Sequence, residues 1–162
     1  MTGEAAQFAM VFERIGENLL SALQDIPAET LNRRLDLPET NSLFALATHL
    51  LGASEFWTLA LGAGRTVERD RAAEFRASGT YGDLATRCRR WIADVHDAFD
   101  AMPDAALDKA LDGPPTAYRG TLPPGQMSAR ECLLHAIEHG ALHLGHIQLT
   151  RQLLGLPAAD QV

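Results

Sequence analysis

Residues 128–155 read SARECLLHAIEHGALHLGHIQLTRQLLG, and this stretch decides the fold. It opens on Ser128, with Glu131 three positions later. That is the signature of a capping box, in which the serine oxygen satisfies one orphan amide while the glutamate reaches back to another. It closes on Gly155, with Pro157 just beyond, and both are stop signals. The spacing predicts a helix over about 128–154.

The same stretch holds four of the chain's six histidines, His135, His139, His143 and His146. A helix turns about 100° per residue. With His139 at zero, His135 lies at roughly −40°, His143 at roughly +40°, His146 at roughly −20° and Cys132 at roughly +20°. All five side chains share one stripe. Leu142, Leu149 and Leu153 flank or extend it, and Gly140 and Gly145 sit to either side. An interior glycine costs about 1 kcal/mol relative to alanine. Two of them predict close approach of neighbouring backbones, so the stripe is expected to face the interior or a cleft.

Three other segments keep a helical step. In residues 4–26, Phe8, Val11, Phe12, Ile15, Leu19 and Leu23 recur at three- and four-residue intervals, and Pro27 ends the run. Residues 40–61 lie within PETNSLFALATHLLGASEFWTLALG, where Thr40, Asn41 or Ser42 can cap and Gly62 and Gly64 stop the helix. This segment is apolar on most sides, which predicts deep burial. In residues 80–102, Leu84, Cys88, Trp91, Ile92, Val95 and Phe99 keep the step, and Pro103 closes it. Arg87, Arg89 and Arg90 read as its solvated face. Residues 112–127, DGPPTAYRGTLPPGQM, carry four prolines and three glycines and read as a loop. An all-α, four-helix bundle forming a single domain over residues 1–162 is expected.

The bulk composition narrows the function classes. The formal charge is −7, which argues against nucleic-acid binding. Two cysteines far apart, Cys88 and Cys132, read as free thiols of a reducing compartment. The first residues lack a signal-peptide pattern. The apolar runs read as shorter than a membrane span. A cytoplasmic location without membrane contact is the expectation.

Several imidazoles on one stripe need partners, because burying them without any costs a few kcal/mol each. A metal ion supplies one directly, since histidines at i and i+4 can share a cation at about 2.0–2.1 Å. A structural polar ladder and a pH-sensing cluster are the alternatives. The third ligand should come from a facing helix. His49 is the candidate, being out of place in the apolar LATHLLGA run, whereas His96 in ADVHDAFD reads as a surface residue. HAIEH, residues 135–139, also matches the H-x-x-E-H pattern of inverted zinc peptidases. Its Glu138 lies about 100° off the stripe, and the only later acidic residue is Asp160, so that reading is disfavoured.

TNSLFALATHL in the second helix and HGALHLGHIQLTRQLL in the fourth resemble the DinB/YfiT-like metalloenzyme family. The resemblance covers nearly the whole chain and implies a left-handed bundle, frequently dimeric. The family pattern is a histidine in helix two, then H-x-x-x-H in helix four followed by Gly-Gln. It implies His49, His139 and His143 as metal ligands, a choice spacing alone does not make. Gly145 stands at the family's glycine, and His146 replaces its common glutamine. The resemblance further implies nickel, zinc or manganese as the ion. It implies a low-molecular-weight thiol such as bacillithiol or mycothiol as substrate, attacking an electrophile. His146 is then the candidate catalytic residue, as a fourth ligand or a hydrogen-bond donor. Phe56 and Trp57, two turns after His49, are candidates for a pocket wall or for plain core packing. Tyr118 and Arg119 are candidates for covering the site mouth, and Cys132 reads as a small core residue.

Overall fold

The computed structural model describes residues 3–111, 127–157 and 159, so Tyr118, Arg119 and Asp160 lie outside the described residues. Six α-helices are present among them: α1 (Glu4–Leu23), α2 (Ala28–Asn32), α3 (Leu43–Glu55), α4 (Arg71–Glu74), α5 (Tyr81–Phe99) and α6 (Ala129–Leu153). A π-helical segment, Phe56–Gly62, continues α3, and a 3₁₀ turn, Asp104–Asp108, follows α5. β-Pairing among the described residues is limited to one isolated bridge between Ala110 and Ser128. The all-α expectation holds. The four long segments read from periodicity are α1, α3 with its π extension, α5 and α6, and the short helices α2 and α4 sit in the connections.

Local chemistry sets the ends. Ser42 caps α3 by accepting from the Ala45 amide at 3.2 Å. Ser128 and Glu131 form the expected capping box on α6. Thr80 and Asp83 make a second one on α5. α1 stops three residues earlier than its periodicity suggests. Pro27 disfavours helical backbone in the residue before it, and Asp25 already turns away at φ 59°.

α1 packs on α5 and α6, and α3 packs on α6, α5, α4 and α2. Phe12, Leu19, Leu50, Leu51, Trp91 and Phe99 are fully buried at the centre. Every α3 residue from Leu43 to Ser54 is buried. Leu43–Gly62, at mean hydropathy 1.2, is long and apolar enough by itself to cross a membrane, contrary to the sequence reading, yet 78% of that window is buried inside the protein. It is a core helix. Its π-wound end is also unforeseen. There Thr58 donates to the Ser54 carbonyl at 2.7 Å and accepts from the Trp91 indole at 3.1 Å.

Two side chains read as surface groups instead tie helices together. Arg87 grips Glu55 through two bonds of 2.9 and 2.7 Å, joining α5 to α3. His96 bonds Asp100 and reaches Glu13 of α1, each at 3.1 Å. Partial burial acts to lower the His96 pKa, but the hydrogen bonds and charges of Asp100 and Glu13 outweigh it and raise the value. The sign follows. Below the ordinary histidine pKa of about 6.5 the charged clamp contributes fully, and its contribution is lost as pH rises through the raised folded-state value. The Tm advantage of the wild type over His96→Gln is therefore expected below about pH 6.5 and should shrink as pH rises above it. A Tm difference independent of pH would show that the clamp is not formed in solution.

A histidine cluster between α3 and α6

The faces of α6 explain where its histidines go. Cys132, Leu133, Ala136, Gly140, Ile147 and Arg151 are buried, while Leu134, Leu142, Leu149 and Leu153 are exposed. The buried face is centred roughly 80° to one side of His139, and the exposed leucines lie on the other. The histidine stripe thus runs along the seam between core and solvent. Of the two glycines, Gly140 fits the close-approach expectation, since an added Cβ would meet Ile15 at 3.2 Å. Gly145 does not, because nothing lies within 4 Å of its Cβ position.

α3 crosses this seam and brings His49 onto it. Ring centroids are 5.2 Å apart for His49 and His139, 4.7 Å for His49 and His143, and 4.4 Å for His139 and His143. One nitrogen from each of the three rings falls within 4.8 Å of the others. His49 is 4% exposed, and the other two are half-buried. Burial pushes the His139 pKa down to about 4, helped by His49 and His135. Burial likewise pushes His143 down to about 3, with His139, His49 and His146 adding to the shift. Both rings are therefore neutral at physiological pH, the state in which imidazole binds metal. Three imidazoles converging from two helices make a donor set that can hold a divalent ion.

The remaining candidates fall outside this group. His135 packs its ring at a tilt against Trp57, 4.3 Å between centroids, and stands 6.0 Å from His139. His146 is exposed, its Nδ1 3.5 Å from that of His143, at the solvent end of the stripe. Glu138 is exposed. Trp57 is buried and Phe56 half-buried beneath Arg69. Burial pushes both thiols up to about 12, so Cys88 and Cys132 are inert core residues.

Sequence reasoning missed the other side of His49. Its Nδ1 lies 2.7 Å from Glu74 Oε2, on α4, with both side chains 5% exposed. Arg69 donates to the same carboxylate from Nε at 2.6 Å and Nη2 at 3.0 Å. Burial acts to raise the Glu74 pKa, but the hydrogen bonds from His49 and Arg69 and the Arg69 charge overcome it and hold the carboxyl down to about 2. Phe75, the next residue, packs its ring against His49 at 4.5 Å.

The sequence matches the DinB superfamily over residues 12–147. The chain belongs to the DinB superfamily. Among solved structures, a DinB-like protein from Bacillus cereus ATCC 10987 aligns with a TM-score of 0.71 at 19% identity, covering 99% of each chain. A conserved protein from Enterococcus faecalis aligns with a TM-score of 0.69 at 15% identity, over 95% of this chain and 98% of that one. At these identities the likeness is one of fold. Among curated proteins, none matches the sequence.

The depressed pKa values of this DinB-superfamily site carry a stability consequence. The unfolded chain protonates His139 and His143 near pH 6.5, whereas the folded chain resists until about pH 4 and 3. Stability is present above the unfolded value and is lost as pH falls below it. The Tm of the metal-free protein should drop steadily on acidification from about pH 6.5 to pH 4, and the slope should flatten in a His139→Gln, His143→Gln double variant. Parallel slopes would mean the two rings are not buried as described.

Proposed function

We propose that this chain is a metal-dependent transferase of the DinB superfamily that joins a low-molecular-weight thiol, of the bacillithiol or mycothiol type, to a small electrophile. The observation that carries the reading is the convergence of His49, His139 and His143, three imidazoles within 4.8 Å of one another. A divalent ion held there supplies Lewis acidity, lowering the pKa of a water or thiol at an open position. Nickel, zinc and manganese all accept imidazole ligands, and availability decides among them.

The chain's own residues have the other tasks. His139 and His143 stay neutral and offer lone pairs rather than charge. His146, exposed beside His143, is the proton-handling group of the reading: its ring takes the thiol proton as the sulfur approaches. Trp57 and His135, packed against each other beside the group of three, are the proposed wall of the site. A second copy of the chain is the proposed neighbour of α6, whose Leu142, Leu149 and Leu153 are 56%, 54% and 55% exposed. The acidic balance and the free buried thiols support a cytoplasmic protein without nucleic-acid or membrane partners.

Metal content measured by mass spectrometry on untagged protein tests the first half. Near-stoichiometric metal is expected in the wild type and none in a His139→Ala, His143→Ala variant. A panel of thiols and electrophiles tests the second half, with conjugation expected to fall to the uncatalysed rate in His139→Ala. Bound metal and a raised Tm without turnover of any thiol would favour a binding or structural bundle. No metal uptake would sink the enzyme reading altogether.

A further inference from the structure

The short helix α4 contributes nothing to the hydrophobic core, yet one imidazole is engaged by two of its neighbouring residues. Glu74 meets His49 at Nδ1, and Phe75 covers its face. A glutamate only 5% exposed is costly to place unless its charge is met. Arg69 meets it with a two-pronged grip on both carboxylate oxygens. An ionised carboxylate only accepts hydrogen bonds. His49 therefore carries a proton on Nδ1, which leaves Nε2 as the one nitrogen of the ring that can offer a lone pair to an ion.

The seat for this carboxylate is built into α3. Gly52 lies one turn after His49 on the same helix. A Cβ there would stand 2.2 Å from Glu74 Oε1 and 2.9 Å from its Cδ. Any larger residue pushes the carboxylate away. Gly52, Glu74 and Arg69 come from two separate segments and meet behind a single ring.

We propose that Glu74, gripped by Arg69 and seated against Gly52, is a positioning residue that sets the metal affinity of the cluster by holding His49 in its Nδ1–H form with Nε2 free for the ion. This rests on the metal reading above and extends it to residues outside the ligand set. Partners of this kind behind a ligating histidine are worth about 10–100-fold in metal affinity.

Two measurements on wild type, Glu74→Ala, Glu74→Gln and Gly52→Ala test it. Long-range proton–nitrogen correlation spectra of the metal-free proteins report the His49 tautomer. A single Nδ1–H form is expected in the wild type and a mixture in Glu74→Ala and Gly52→Ala. Competition with a chromophoric chelator for zinc reports affinity. Glu74→Ala should bind zinc about 10–100-fold more weakly. Glu74→Gln, whose amide oxygen still accepts the Nδ1 bond, should recover most of the loss. Gly52→Ala keeps every polar group and displaces only the end of a flexible side chain, so it serves where Glu74→Ala fails to fold. It should weaken zinc binding too. Wild-type affinity and an unchanged His49 tautomer in both Glu74→Ala and Gly52→Ala would overturn the proposal while leaving the metal reading intact. A wild type that takes up no zinc would overturn both.

Discussion

A histidine in the middle of a helix buried on every side needs a partner for each ring nitrogen. That constraint organises the region around α3. His49 is the one imidazole of a run in which every residue from Leu43 to Ser54 is buried. Its Nδ1 side is met by Glu74, which brings with it Arg69, the vacancy at Gly52 and the placement of α4. Its other side turns to His139 and His143 across the α3–α6 contact. The polar centre is thus an extension of the way one helix is buried, not an ornament on the surface.

The energetics argue that this arrangement is not there for stability. A buried ion pair is near neutral against well-packed apolar residues, and often less stable, while deleting one partner costs about 3–5 kcal/mol. Replacing His49, Glu74 and Arg69 together by hydrocarbon would give a simpler core. What the charged set provides is directionality. A leucine in place of His49 has no hydrogen bond to fix its orientation, whereas the imidazole is held by Glu74 at Nδ1 with the Phe75 ring 4.5 Å away. The same logic separates the α6 histidines. His135 packs against Trp57, and His146 reaches solvent, so neither is drawn into the group of three.

Much of this was legible in the sequence, for identifiable reasons. The four long segments announce themselves through 3.6-residue periodicity, and Ser128 and Glu131 mark the start of α6. His49 stands out because a polar ring inside LATHLLGA breaks the local pattern. Choosing His139 and His143 over His135 and His139 took the family resemblance, since both pairs have the same spacing. Glu74 left no signal. It is an acidic residue in a four-residue helix too short for periodicity, 25 positions from its partner. Arg87 and His96 keep side chains 36% and 29% exposed, and only their helix-joining bonds were hidden, because the partners Glu55 and Glu13 lie on other helices. The π winding of Phe56–Gly62 was invisible because FWTLALG is apolar under any winding.

The asymmetry of the cluster gives its direction. Behind His49, the Arg69–Glu74 pair and the Phe75 ring close the site, and α3 itself is sealed in the core. In front, the histidine stripe climbs along the edge of α6 from half-buried His139 and His143 to exposed His146. The stripe lies on the seam between a buried and an exposed face, so the cluster has one flank in each environment. The rings are buried enough to be neutral, so protons do not occupy their lone pairs at physiological pH. They are also only half-buried, with His146 exposed beside them. A stripe rotated by one residue toward the core would lose access, and one rotated outward would lose the desolvation that keeps His139 and His143 unprotonated.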